Sequence, residues 1–248
     1  MDNDIPFVSN TPDDTQCLQA SYAMIRQFFD PNLTIEWDEW ADITGYLPGR
    51  GTWSMAGLMW FKEHGYDVIH MGLFDYAEFA SRGAEYLVEA LGEEVANWEL
   101  QYTDLKLEQA RALRFLSSNV WVQRPPTIAD VRRYLDDGYL IKCLLNLNAL
   151  NDKPGYLGHA VVVKGYTDTG VILHDPGLPA RPNRRVDYEH FLYAWIDPVR
   201  RSQKLDAIRK KINSHDDDYT VAETLDAGLG RVAANSGASM TPAMKPPT

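Results

Sequence analysis

The clearest hydrophobic pattern near the start of the chain is helical. Ala20, Ala23 and Met24 are spaced three and four residues apart, so they share one face of a helix that we predict over residues 16–29. Acidic and hydroxyl residues precede this helix and can cap it, and an Asp-Pro pair follows it and prevents it from continuing. The pattern therefore predicts an amphipathic helix whose first turn contains Cys17.

Helical patterns continue through the first half of the chain, with one strand among them. The predicted helices cover residues 35–43, residues 54–65, residues 75–118 with breaks at Gly83 and Gly92, and residues 127–138. Thr127 and Asp130 have the spacing of a capping box, which marks the start of the last of these helices. The segment "YDVIHM", at 66–71, is predicted as a strand.

The pattern changes from helices to strands after Gly138. The predicted strands are "YLIKCLLNL" (139–147), "HAVVVKGYT" (159–167), "VILHD" (171–175) and the short "RRVD" (184–187). A "DTG" turn joins the second and third of these strands into an antiparallel hairpin, and a helix over "YEHFLYAW" follows the fourth.

Helices first and strands second predict an α+β fold. We predict one domain over residues 1–213, with a helical half at 1–138, an antiparallel sheet half at 139–197 and a C-terminal helix at 198–213. The small and polar composition of residues 214–248 predicts a linker and a disordered tail.

Composition narrows the class of protein and of partner. The chain has 248 residues, 45% hydrophobic and 24% charged, which is typical of a folded globular protein. Its formal net charge of -11 argues against nucleic acid or an anionic membrane as a partner.

No run of residues approaches the roughly 18 apolar residues of a membrane span, and the acidic start lacks a signal-peptide pattern. With only two cysteines, we expect a cytoplasmic protein with reduced thiols, and we expect no cofactor.

Cys17 is the first candidate for chemistry. A thiolate is the reactive form of cysteine, and the N-terminal end of a helix favours it. The alternative is that Cys17 is a small packing residue, which is a common role for cysteine. Cys143 lies among aliphatic residues of a predicted strand, and we interpret it as packing.

His159 and Asp175 are the candidates for a general base and its orienting carboxylate. His159 begins the first strand of the predicted hairpin and Asp175 ends the second, so both lie at the same end of the hairpin. Regular pairing places Asp175 nearer Val163 than His159, so direct contact requires a bulge or a strong twist. The alternatives are a strand-end histidine without a role and a simple turn at Asp-Pro-Gly.

An attacking thiolate also needs hydrogen-bond donors for the oxyanion that develops on the substrate. The backbone N–H of Cys17 is one donor by its position in the helix, and a side-chain amide would be the second. Three amides lie upstream of or adjacent to Cys17, namely Asn10, Gln16 and Gln19, and of these Asn10 and Gln16 are the candidates. We prefer Asn10, because the side chain of Gln16 must point away from that of its neighbour Cys17.

Three blocks of the sequence together resemble a known family. These blocks, "IPFVSNTPDDTQCLQASYAMI", "GHAVVVKGYTDTGVILHDPG" and "RRVDYEHFLYAW", are similar to the papain-fold cysteine peptidases related to bacteriocin-leader processing enzymes, cysteine peptidase family thirty-nine, in its stand-alone peptidase-like branch. The resemblance implies a papain-like fold with Cys17 as nucleophile, His159 as general base and Asp175 as orienter. The segment "GRGTW", which contains Trp53, resembles a further shared stretch and implies a place for Trp53 in the binding cleft.

The resemblance is good over residues 5–30 and 155–197 and weak over 75–125, and the chain departs from the family in two respects. The family usually has a glutamine five or six residues before the cysteine, where this chain has Thr11 and Pro12. The processing enzymes are fused to membrane transporters with nucleotide-binding domains. This chain has no apolar span and no G-x-x-x-x-G-K-[ST] loop, so export-coupled leader cleavage is not implied.

Three functions are open at this point. The first, which we predict, is a cysteine-dependent hydrolase or acyltransferase that acts on an amide, ester or thioester of a peptide-like substrate through a thioacyl-enzyme. The second is a catalytically inactive papain-fold module that binds a peptide. The third is a zinc site built from Cys17, His159 and Asp175, which the lack of closely spaced ligand pairs disfavours.

Overall fold

The computed structural model describes residues 1–34 and 36–211, and within these ranges it contains ten α-helices and seven strands. The helices are α1 (Cys17–Phe29), α2 (Trp37–Thr44), α3 (Met55–Glu63), α4 (Tyr76–Arg82), α5 (Ala84–Leu91), α6 (Glu93–Tyr102), α7 (Leu105–Leu116), α8 (Ile128–Asp136), α9 (Leu147–Leu150) and α10 (Tyr188–Ile196). The strands are β1 (Tyr66–Gly72), β2 (Trp121–Gln123), β3 (Leu140–Asn146), β4 (Gly158–Tyr166), β5 (Gly170–Asp175), β6 (Arg181–Asp187) and β7 (Lys204–Lys210).

All seven strands join one sheet, in the order β2-β1-β7-β3-β4-β5-β6. β1 and β2 are parallel, and the other neighbours are antiparallel. The predicted division into a helical half and a sheet half is therefore wrong in one respect, because β1 and β2 come from the helical half and extend the sheet. Local pattern identified β1 as a strand but carried no information about which strands it pairs with.

The predicted C-terminal helix over 198–213 is also wrong. Arg200–Ser202 form a short 3-10 helix, and the next segment is β7, which pairs with both β1 and β3. Leu205 and Ala207 pack on one face of the sheet and Ile208 packs on the other. This segment is short and highly charged, so the spacing of its hydrophobic residues does not distinguish a helix from a strand. Its structure is decided by pairing with residues far away in the sequence.

Helices cover both faces of the sheet. α1 to α7 pack on one face around a core that includes Tyr22, Phe61 and Val162. α8, α9 and α10 pack on the other face around Cys143, Val161 and other side chains of the central strands. The architecture confirms the predicted α+β class, with the cysteine at the start of a helix that packs on an antiparallel sheet.

Close packing of two helices fixes the position of α1. A Cβ atom added at Gly57, on α3, would lie 2.4 Å from Cε2 of Tyr22 on α1. Glycine is therefore required where α3 passes the ring of Tyr22, and α1 also packs against β3, β4 and β7. The capping box predicted at Thr127 and Asp130 is present at the start of α8.

One compact unit spans Met1–Lys211. The predicted linker and disordered tail at 214–248 lie outside the described residues, as does Ile35 of the predicted helix over 35–43. None of the helices described in the structure is long and apolar enough to cross a bilayer.

Candidate active site

Cys17 is the first residue of α1 and lies against the start of β4. The backbone N–H of Ala160 donates to the Cys17 sulfur over 3.5 Å, and the thiol is half-buried. Gln16 is the N-cap residue, and its side chain makes no capping hydrogen bond. It therefore does not compete for the N–H groups of the first turn, which favour negative charge at this end of the helix.

A β-bulge brings His159 and Asp175 together. The pairing between β4 and β5 shifts between Val163 and Gly165, so that Val162 lies opposite His174. Asp175 is then opposite Val161, on the same side of the strands as His159 and in the diagonal position that long side chains can bridge. His159 Nε2 lies 2.8 Å from Asp175 Oδ1, and both side chains are buried.

Arg184, on β6, fixes the carboxylate of Asp175. Its Nη1 donates to Asp175 Oδ2 over 2.8 Å, and its Nη2 donates to the Leu150 carbonyl. The backbone N–H of Gly177 donates to Asp175 Oδ1 over 3.2 Å. A Cβ atom at Gly177 would lie 3.0 Å from His159 Cε1, so glycine leaves the room that the imidazole ring needs.

The charges of the three side chains support one another. Burial acts to raise the pKa of the Cys17 thiol, but the charge of His159, together with the hydrogen bond from the backbone N–H of Ala160, outweighs burial and leaves the pKa below its ordinary value. Burial acts to lower the pKa of His159, whereas Cys17 and Asp175 raise it to about 10. Burial acts to raise the pKa of Asp175, but His159 and Arg184 lower it to about 2. The arrangement therefore favours a thiolate beside an imidazolium.

The two predicted oxyanion donors do not line the cleft beside Cys17. Asn10 is buried in the loop before α1, where its Oδ1 accepts from the backbone N–H of Gln16 over 2.8 Å and its Nδ2 donates to Asp14 over 2.6 Å. Gln16 has a buried Oε1 without a hydrogen-bond partner among the described residues. Asn10 shapes the loop that presents Cys17, and the oxyanion role of both amides stays a prediction.

A cleft of about 430 Å³ opens beside Cys17. Its walls are rich in aromatic side chains, namely Trp53, Tyr76, Trp98, Tyr102 and Tyr156. The indole of Trp53 stacks on Phe79 at 4.7 Å between centroids, and its Nε1 donates to Glu99 Oε2 over 2.8 Å. The structure thus places the predicted binding residue Trp53 in the wall of the cavity that contains Cys17.

A buried polar network lies beneath the cleft, and sequence reasoning missed it. Asp206, on β7, pairs with Lys142 Nζ on β3 and with His70 Nδ1 on β1, each at 2.6 Å. Lys142 also donates to Ser54, and the other nitrogen of His70 bonds the Tyr76 hydroxyl. The available signal was Lys142 itself, since a charged residue within an aliphatic strand requires a buried partner.

The carboxylate of Asp175 already has three hydrogen-bond partners within the protein, namely His159, Gly177 and Arg184. Both of its oxygens are therefore engaged within the fold. Across residues 1–34 and 36–211, no group of three histidine, cysteine, aspartate or glutamate side chains is arranged to hold a metal ion. Nothing in the described part of the chain favours the zinc alternative.

Comparison with known proteins gives distant structural likenesses only. No family model matches the chain. No curated protein matches it either. Among solved structures, it is similar to a protein from Bacillus anthracis described provisionally as a C39-like peptidase, with 14% sequence identity and a TM-score of 0.48, over 84% of this chain and 96% of that chain. The identity is too low for the activity of that protein to be assigned to this chain.

Proposed function

We propose that this protein is a cysteine-dependent hydrolase or acyltransferase that acts on an amide, ester or thioester of a peptide-like substrate. The observation that carries the proposal is the contact of His159 Nε2 with Asp175 Oδ1 at 2.8 Å, at the start of β4, where the next residue, Ala160, donates its backbone N–H to the Cys17 sulfur. Cys17 is the nucleophile, His159 the general base and Asp175 the residue that orients the ring.

The geometry supports a two-stage reaction. The Cys17 thiolate attacks the substrate carbonyl carbon, and the carbonyl oxygen becomes an oxyanion that the N–H groups at the start of α1 stabilise. The tetrahedral intermediate collapses, the bond to the leaving group breaks, and the imidazolium of His159 donates its proton to that group. Water or an amine then attacks the thioacyl-enzyme and gives its proton to His159, which releases the acyl product and regenerates the thiolate.

The second candidate is an inactive module that binds a peptide in the same cleft. It is favoured by one observation, the position of Asn10 and Gln16 outside the cleft wall, because this leaves the oxyanion without a side-chain amide donor from either residue. The module would have a reactive Cys17 and would form no thioacyl intermediate that turns over.

Iodoacetamide labelling tests whether Cys17 is activated. Burial raises the pKa of Cys143 well above its ordinary value, whereas the pKa of Cys17 is lowered, so we expect peptide mass spectrometry to find Cys17 alkylated much faster. Cys143→Ala should leave the fast phase intact and Cys17→Ala should remove it. Equal rates at the two cysteines would contradict the proposal. Turnover of p-nitrophenyl esters by the wild type, absent in Cys17→Ala, separates the enzyme from the inactive module.

A further inference from the structure

The cleft contains two charged side chains that the proposed mechanism does not use. Lys204, on β7, and Glu99, on α6, both line the cleft that contains Cys17. Both are half-buried and both contact the Trp53 indole, Glu99 at its N–H and Lys204 over its ring. Burial of a charged group costs free energy unless the group is paired or hydrogen-bonded. The partners that these two side chains lack therefore indicate which chemical groups the cleft binds.

Lys204 has an ammonium group that lies over aromatic rings without a conventional acceptor. Its Nζ is 5.3 Å from the centroid of the Trp53 ring and 4.8 Å from that of Phe74. Among the residues that the structure describes, this nitrogen makes neither a hydrogen bond nor an ion pair; the one hydrogen bond to Lys204 outside the sheet is accepted by its backbone carbonyl. The ammonium therefore offers three donors to a molecule in the cleft.

Glu99 offers the complementary acceptor. Its Oε2 accepts hydrogen bonds from Trp53 Nε1 over 2.8 Å and from the Thr103 hydroxyl over 2.9 Å. Its Oε1 has no donor among the described residues. Burial raises the pKa of Glu99, and the nearby charge of Lys204 opposes this rise. The same cleft thus presents one free donor group and one free acceptor atom, close enough to influence each other and not paired directly.

We propose that this part of the cleft binds a neutral carboxamide, the side chain of a glutamine or asparagine in a peptide-like substrate. Lys204 donates to the carboxamide oxygen, and Glu99 Oε1 accepts from the carboxamide nitrogen. The aromatic walls pack against the planar group. A substrate carboxylate would be repelled by Glu99 and a substrate ammonium by Lys204, whereas a carboxamide satisfies both. This inference rests on the proposed function, since the substrate must also reach Cys17.

Peptidyl vinyl sulfones, which alkylate a reactive cysteine, provide the test. The probes contain Gln, Glu or Met at the first or the second residue from the electrophile, and mass spectrometry gives the second-order rate of Cys17 labelling. At one of these two positions we expect Gln to react about tenfold faster than Met or Glu, as a hydrogen bond to a charged group predicts. Lys204→Met should abolish this preference, and Glu99→Gln should shift it from Gln towards Glu.

The controls separate failure of this inference from failure of the proposed function. Methyl methanethiosulfonate, a small thiol reagent without a carboxamide, measures the reactivity of Cys17 in each variant, and the probe rates are compared after division by its rate. Lys106→Met removes an equal charge from the exposed face of α7 and should retain the preference for Gln. Lys204→Arg, which keeps the charge, provides a second variant if Lys204→Met does not fold.

Three outcomes would overturn the inference. Equal rates for the Gln, Glu and Met probes, with fast iodoacetamide labelling, would show that the cleft does not select a carboxamide. If the Glu probe reacts faster than the Gln probe and Lys204→Met removes this difference, then Lys204 binds a substrate carboxylate and not a carboxamide. Slow labelling of Cys17 by iodoacetamide itself would overturn the proposed function, and the inference with it.

Discussion

His159 bonds Asp175 through Nε2, at 2.8 Å from Oδ1. This contact leaves Nδ1 as the ring nitrogen available to the Cys17 thiol in the proposed mechanism. Because Asp175 is buried and held by Arg184, it fixes both the tilt of the imidazole and the position of its proton. We therefore expect the reactivity of Cys17 to depend on a chain of contacts that begins on β6, at the far edge of the sheet.

The pH dependence of turnover should be bell-shaped. The pKa of Cys17 is lowered, so activity should rise as the thiol loses its proton below the ordinary range of a free thiol, and it should fall as His159 loses its proton near its pKa of about 10. Alkylation by iodoacetamide requires only the thiolate, so it should rise over the same lower range and not fall near pH 10. Rates measured from pH 5 to pH 11 check both limbs. An unchanged labelling midpoint in His159→Ala would contradict the ion pair.

Arg184→Met should reduce turnover of a p-nitrophenyl ester about tenfold, because Asp175 loses a charged hydrogen bond and holds the imidazolium less firmly. A merely structural role would lower the amount of folded enzyme and leave the pH profile unchanged. The positioning role instead predicts that the falling limb of the profile moves to lower pH, and that Arg184→Lys restores part of the shift. Exposed Arg133 gives the control variant Arg133→Met, for which we expect the wild-type profile.

Gly177→Ala should impair catalysis more than stability. The added Cβ would lie 3.0 Å from His159 Cε1 and 3.3 Å from Asp175 Oδ1, so either the ring or the carboxylate must shift. We expect turnover to fall by about an order of magnitude or more, while the free energy of unfolding changes by less than about 1 kcal/mol. Ester hydrolysis and urea denaturation measure the two quantities. Wild-type turnover in a folded Gly177→Ala protein would show that the ring position is not critical.

Lys142→Met should destabilise the protein by about 3–5 kcal/mol, because it leaves the buried carboxylate of Asp206 without its cation. The double variant Lys142→Met/Asp206→Leu removes both charges and should lose less stability than the single variant. Lys106→Met, on the exposed face of α7, should change stability by less than about 0.5 kcal/mol. Urea denaturation compares the three proteins, and a single variant as stable as Lys106→Met would contradict the role of the ion pair.

Local sequence pattern predicted most elements, because helix caps and strand alternation are local properties. It predicted α1 with Cys17 in its first turn, the breaks at Gly83 and Gly92, and the strands that carry His159 and Asp175. It did not predict β7 as a strand, since only pairing with β1 and β3 distinguishes that segment from a helix.

The contacts of the candidate site depend on strand register and sheet twist, which the spacing of residues along the sequence does not reveal. The bulge between Val163 and Gly165 changes the register by which Asp175 approaches His159, and the glycine inside the strand pattern was the available signal for it. Arg184 was assigned to a strand, but its contact with Asp175 depends on the twist of β5 and β6. Lys204 was assigned to a helix, and only its place in β7 directs it into the cleft.

The mass of the protein during reaction with p-nitrophenyl acetate shows directly whether Cys17 forms a thioacyl-enzyme. We expect a transient acetyl adduct that peptide mapping locates on Cys17, that decays with the release of acetate, and that Cys17→Ala does not form. Cys143→Ala should form it at the wild-type rate. An adduct that maps to Cys143 or a surface lysine, or the absence of any adduct on Cys17 under conditions where ester is consumed, would show that Cys17 is not the nucleophile.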